Sequence, residues 1–265
     1  MADTAWLGTA KPIIAMVHFP PLPGSPGYDP AGGMAAITDS AARDIEALQD
    51  GGIDAVMFGN EGDRPYELQA SPEALAAMAA AIATLKPLLK VPFGVNYLWD
   101  PVATVAHGAA TGAAFAREIF TGLYASDMGL WEPRCRAALK LRAELGRPDL
   151  KLLFNVNAEF ATSLDSRPIE VRAKSAVFSS LADVIAISGP MTGEGVDGSE
   201  LARVKAVVNV PVFANTGVRI DTVADILAVA DGVVIGTHLK RDGDTWNPVD
   251  PERVQRFMDR VRSLR

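Results

Sequence analysis

Nearly every apolar run in this chain stops at a polar side chain, and those side chains are of the types that move protons and orient hydroxyls. His18 closes the first run. Asn60 and Glu61 close the second, with Asp63 just beyond, and Asn96 and Glu118 close the third and fourth. The fifth ends in Asn155, Asn157 and Glu159, the sixth in Ser188, the seventh in Asn215 and Thr216, and the eighth in Thr237 and His238. Glu61, Glu159 and Asp127 (the last within the fourth loop, Thr121 to Gly129) are the candidate proton carriers, and His18 is their partner acid or base. Asn96, Asn155, Asn157 and Ser188 are candidate substrate contacts. Glu61 or Asp63 also suits a Mg²⁺ ligand, the one cofactor the residues suggest, and turn chemistry competes for both.

Two segments point to an anion. Val212–Val218 and Asp231–His238 are short apolar runs that end in small polar residues and glycine, with one amphipathic helical stretch between them. Glycine lets backbone N–H groups approach a phosphate closely, and a following helix adds the positive end of its dipole. A third glycine-rich turn spans Ser188 to Asp197. Gly193, Asn215, Gly217, Gly236 and Thr237 are the candidate phosphate contacts, with Lys240 as an added charge.

Eight strand-helix units must position these groups. The strands read as Pro12–Phe19, Ile53–Glu61, Pro92–Trp99, Ala113–Thr121, Lys151–Phe160, Asp183–Gly189, Val210–Gly217 and Asp231–His238, most of them near-continuous apolar stretches, as buried parallel strands are. Alanine-rich helical stretches separate them, and Ser71-Pro72, Asp100-Pro101 and Asp250-Pro251 each place a capping residue before a first-turn proline. This pattern predicts one α/β domain over residues 1–265, a (β/α)8 TIM barrel of the ribulose-phosphate-binding kind, with its site at the carboxyl ends of the strands. A doubly wound open sheet is the alternative. Alternation on the fifth strand sends Leu152, Phe154, Val156, Ala158 and Phe160 toward the helices and Asn155, Asn157 and Glu159 into the barrel. Those three form either a binding site or a polar plug. The proline-rich loop from Phe19 to Gly33 suits a cover over the mouth.

Several chemistries are excluded or disfavoured. A net charge of −7 offers no basic stripe for nucleic acid. Cys135 is the only cysteine, which rules out an internal disulfide, and it opens a helical stretch rather than closing a strand. Lys151 sits at the wrong end of its strand for a Schiff base, and His18, His107 and His238 lack the spacing of a zinc motif. No run approaches the ~20 apolar residues of a membrane span, and the start Met-Ala-Asp-Thr-Ala-Trp-Leu-Gly lacks a signal-peptide pattern. The expectation is a cytoplasmic protein, open to forming homo-oligomers.

The chain resembles the BtpA/SgcQ family almost end to end. The resemblance is carried by Met16–Pro26 (MVHFPPLPGSP), by Asn155–Phe160 (NVNAEF) and by Asp231–Thr237 (DGVVIGT) followed by Lys240, Asp242 and Gly243. Phe19 stands where the family usually has leucine, and Thr216-Gly217 where it often has Ser-Gly. The resemblance implies a barrel similar to phosphate-binding enzymes of sugar and amino-acid biosynthesis. It also implies associations with photosystem I biogenesis or carbohydrate catabolism. Some members carry the label phosphoribosylanthranilate isomerase. That reaction pairs a cysteine or aspartate on strand one with an aspartate on strand five, where this chain has His18 and Asn157 or Glu159.

The residues therefore point to an enzyme acting on a small phosphorylated metabolite, a sugar phosphate or ribosyl compound, by isomerisation or aldol-type chemistry. Glycosidic or N-ribosyl hydrolysis, a non-enzymatic assembly factor and a phosphosugar sensor are the alternatives.

Overall fold

The computed structural model describes residues 4–265; Met1, Ala2 and Asp3, the start of the segment read for a signal peptide, lie outside the described residues. In chain order the strands are β1 (Ile13–His18), β2 (Ala55–Gly59), β3 (Phe93–Asn96), β4 (Phe115–Glu118), β5 (Tyr124–Ser126), β6 (Gly129–Trp131), β7 (Lys151–Asn155), β8 (Ala161–Ser163), β9 (Val184–Ile187), β10 (Val212–Asn215) and β11 (Gly232–Ile235). The helices are α1 (Gly33–Asp50), α2 (Pro72–Leu85), α3 (Pro101–Thr111), α4 (Cys135–Glu144), α5 (Ile169–Ser180), α6 (Gly198–Lys205), α7 (Val223–Val229) and α8 (Pro251–Arg262).

β1, β2, β3, β4, β7, β9, β10 and β11 close into one parallel barrel, sealed where Ile13–Ala15 of β1 pair with Val233–Ile235 of β11. This is the (β/α)8 architecture expected from the sequence. All three cap expectations hold. Asp100 accepts from the Val102 and Ala103 amides at 2.9 and 3.1 Å, Asp250 from Glu252 and Arg253 at 2.9 and 3.2 Å, and Ser71 from Ala74 at 3.3 Å. Each satisfies amides that the first helical turn leaves unpaired.

The barrel interior is layered. Ile14, Met57, Phe115, Leu153, Val184 and Phe213 fill its amino half, and Leu7 with Trp6 closes that end, Trp6 meeting Phe115 edge-on at 5.6 Å between ring centroids. Two large rings fit because two strands carry glycine opposite them. A Cβ on Gly94 would lie 2.1 Å from the Phe115 ring, and one on Gly232 would lie 2.6 Å from Phe213. Above this apolar plug the inward positions turn polar: Asn96, Arg117, Asn155 and Asn215 are all buried.

Three expectations need correction. The fifth barrel strand ends at Asn155, not Phe160, because β8 leaves the barrel to pair with β5. Ala158 consequently packs beside Trp99 and Trp131, and Phe160 reaches the mouth instead of the helices. The antiparallel sheet β6-β5-β8 has no counterpart in the sequence reading. The proline-rich loop is not a cover. Asp63 accepts the Leu22 amide at 2.7 Å, Leu22 is fully buried, and Gly24 lies against Glu73 of α2, so the loop is fastened to the barrel's flank.

Gly94→Ala is expected to cost about 1–3 kcal/mol, since the added methyl overlaps an aromatic ring in a packed layer. Thermal unfolding checks this. A Phe115→Leu background should recover part of the loss, and additive costs would contradict the steric account.

Candidate active site

Three connected spaces occupy the carboxyl end of the barrel. The central one is a narrow pocket whose walls include His18, Glu61, Arg117, Glu118, Asn155 and Glu159. It shares Gly193, Gly217, Gly236 and Thr237 with a cup of about 160 Å³ on one side. On the other it shares Glu61, Tyr66, Trp99, Phe160 and Thr192 with a vestibule of about 500 Å³.

Arg117, on β4, forms the floor. Its guanidinium donates to Asn215 Oδ1 at 2.9 Å and to Asn96 Oδ1, tying β4 to β10 and β3 across the barrel. Asn96 in turn donates to Glu118, whose other oxygen accepts the Ile119 amide at 2.8 Å. On the opposite wall the Ser188 hydroxyl sits between Asn155 and Asn215, at 2.8 and 2.7 Å from their amide nitrogens. Asn157 bonds the Ser188 backbone twice, accepting from its N–H at 2.9 Å and donating to its carbonyl at 2.6 Å.

Proton carriers stand above this floor. His18 Nε2 and Glu61 Oε1 are 3.8 Å apart, both buried, and His18 Nδ1 and Glu61 Oε2 have no hydrogen-bond partner. Burial pushes the Glu61 carboxyl up to about 7, against the pull of Arg117. Burial, reinforced by the Lys240 and Arg117 charges, holds His18 well below its usual range, so its imidazole is neutral. Burial likewise raises Glu118 to about 8 and raises Glu159, which accepts from Thr192 Oγ1 at 2.6 Å.

The cup is built by close backbone approach. A Cβ on Gly217 would fall 2.1 Å from the Glu194 carbonyl, and Gly217 has φ 59°. Thr216 beside it has φ 127°, a strained conformation for a β-branched residue. Its hydroxyl accepts the Gly189 amide at 2.8 Å and so clasps the Ser188–Asp197 turn onto β10. Gly236 brings the cup against the proton carriers, since a Cβ there would lie 3.1 Å from His18 Cε1. Arg219 and Arg253 supply positive charge at the cup's wall.

The expected site residues divide accordingly. His18, Glu61, Asn155, Glu159 and Asn215 line the central pocket, with Gly193, Gly217, Gly236 and Thr237 between pocket and cup. Asn96, Asn157 and Ser188 stand behind it as struts. Asp127 is exposed on the β5–β6 turn and reaches only the vestibule. Lys240 is not at the cup: its ammonium is buried and donates to Asp44 Oδ2 at 2.6 Å, an ion pair that holds α1 to the loop after β11. Asp63 is fully engaged by Asn60 and Leu22, and among the described residues no three His, Cys, Asp or Glu side chains converge to hold a metal ion. The donor set therefore does not fit a Mg²⁺ ion held by Glu61 or Asp63. Arg117, Tyr66, Trp99 and Thr192 were not anticipated. Arg117 had a signal, a lone cation inside the buried run Phe115-Ala116-Arg117-Glu118.

Residues 9–263 match the model of the BtpA family. The chain belongs to that family. It is 45% identical to the sgc region protein SgcQ of Escherichia coli K12 over 98% of this chain and 97% of that one. It is 32% identical to the photosystem I biogenesis protein BtpA of Synechocystis, over 95% and 88%. In fold this family member is similar to phosphoribosyl anthranilate isomerase from Thermus thermophilus, with TM-score 0.59 and 13% identity over 96% of this chain and 100% of that one. Among the described residues no helix is long and apolar enough to cross a membrane.

The buried carboxyls make stability pH-dependent. A carboxyl whose folded pKa is raised favours the folded state below its unfolded value, here 4.5 for Glu118, and loses that contribution as pH rises through about 8. Glu118→Gln fixes the neutral form. Its melting temperature relative to the parent is therefore expected to climb by several degrees between about pH 5 and about pH 9. A flat difference across that range would contradict the assignment.

Proposed function

We propose that this protein is an enzyme that binds a small phosphorylated metabolite, a sugar phosphate or ribosyl compound, and catalyses an acid/base isomerisation or aldol-type step on it. The observation that carries this reading is the Glu61–His18 pair, 3.8 Å apart with an unpaired polar atom on each partner, directly beside a glycine-lined cup. Both side chains line the open central pocket, where a ligand can meet them.

The phosphate lies in the cup against the backbone of Gly193, Gly217 and Gly236–Thr237, with Arg219 and Arg253 completing its charge. That puts the adjoining carbons beside Glu61 and His18. With its pKa near 7, Glu61 is present as both carboxylate and acid at neutral pH, the condition for a reversible proton carrier. As carboxylate it takes the proton from a carbon next to a carbonyl. The carbonyl oxygen becomes an enolate, stabilised by the Arg117 charge and by a proton from neutral His18 or from Glu159. Protonation at the neighbouring carbon completes an isomerisation, and cleavage of the next carbon–carbon bond gives the aldol outcome. A photosystem assembly role, favoured by the 32% identity to BtpA, would not require the pocket's proton carriers.

Solvent deuterium incorporation into a panel of sugar phosphates, followed by proton NMR, tests this reading. The parent should exchange a proton of at least one compound. Glu61→Gln should slow exchange by about 10²- to 10⁴-fold while the ligand still raises the melting temperature. Gly236→Asp should abolish both. Absence of both binding and exchange would overturn the reading in favour of the assembly role.

A further inference from the structure

The vestibule has more room than a phosphorylated sugar in the inner pocket needs, and it gathers aromatic side chains along its walls. Tyr66, Trp99, Phe160 and Trp246 face it with aromatic rings, and Met128 and Pro65 add apolar surface. The wall is braced from behind. Trp99 packs on Trp131 at 5.8 Å and meets Tyr66 edge-on at 6.1 Å, and Trp131 stacks on Tyr124 of β5 at 4.6 Å. On the far side the Arg64 guanidinium lies 3.5 Å from the centre of the Trp246 ring. The added sheet β6-β5-β8, which has no part in the barrel, thus holds a rigid aromatic face over the mouth.

One polar group in that face lacks a partner. Trp99 Nε1 is buried without an acceptor, and Trp99 lines both vestibule and pocket. The cup and the vestibule share no lining residue, and Glu61 borders the pocket that joins them.

We propose that the vestibule is a second binding subsite for a planar nitrogen-heteroaromatic group carried by the same molecule whose phosphate occupies the cup, so that the substrate is a phosphorylated glycosyl compound with a flat ring. This rests on the phosphometabolite reading above and narrows it. A pyranose fits the wall less well, because its puckered ring offers the four aromatic side chains a smaller flat face than a planar ring does. A flat heteroaromatic ring presents π-faces to the tryptophans and tyrosine and its edge nitrogens to Arg64, Ser126 and Asp127, which line the same space. With the phosphate at one end and the ring at the other, the sugar linking them lies beside Glu61 and His18.

Intrinsic tryptophan fluorescence and thermal shift, with defined probes, test this. Ribose 5-phosphate carries the phosphate alone, adenosine the ring alone and adenosine 5′-monophosphate both, while a disaccharide phosphate carries a pyranose in place of the ring. The expected result is that the nucleotide binds at least about tenfold more tightly than ribose 5-phosphate, a gain of about 1.4 kcal/mol. That gain should disappear in Trp246→Ala, a half-exposed position whose loss leaves the fold intact, with ribose 5-phosphate binding unchanged. A nucleotide that binds no better than ribose 5-phosphate overturns the proposal, as does a larger gain from the disaccharide phosphate. If no phosphorylated probe binds, or if Gly236→Asp has no effect on any of them, it is the phosphometabolite reading that fails.

Discussion

A guanidinium buried inside a closed barrel must find its counter-charge within the barrel, and that requirement organises everything above it. Arg117 is 7% exposed, and its hydrogen bonds go to two neutral amides, Asn96 and Asn215. Its compensation comes from Glu61, Glu118 and Glu159, each of which its charge pulls toward ionisation while burial pushes the other way. Burial raises all three, so each holds its proton to higher pH than an exposed carboxyl does. The neighbouring His18 is kept neutral by the same burial and by the Lys240 and Arg117 charges.

Around this centre the fold assigns separate tasks to separate parts. The amino half of the barrel is an apolar plug made possible by Gly94 and Gly232. Amide struts on β3, β7 and β10 hold the floor, the loops after β9, β10 and β11 form the cup, and the inserted antiparallel sheet raises one wall of the vestibule. Lys240 and Asp44 illustrate the economy of the design. Their ion pair fastens α1 beneath the last loop, and its cation still depresses the basicity of His18.

The barrel was legible in the sequence because eight buried apolar runs alternate with capped helices, and proline after Ser71, Asp100 and Asp250 marked three helix starts directly. The polar ring was legible because each strand stops at a side chain that needs a partner. Which of these face the pocket depends on bonds between strands far apart in sequence. Asn157 reads as an inward residue by alternation, yet β7 has ended before it and its amide braces Ser188. Lys240 reads as a phosphate ligand by position, but its partner Asp44 lies 196 residues away. The β6-β5-β8 sheet escaped notice because its strands are three residues each, too short for a period to emerge. The vestibule it supports escaped with it.

The most direct test of the buried-charge account is the titration of Glu61 followed by carboxyl carbon-13 NMR on the folded protein. The account predicts a midpoint near 7, moving higher in Arg117→Gln as the attracting charge is removed. A Glu61 midpoint near the ordinary 4.5 would contradict it and leave the barrel mouth a solvated polar rim.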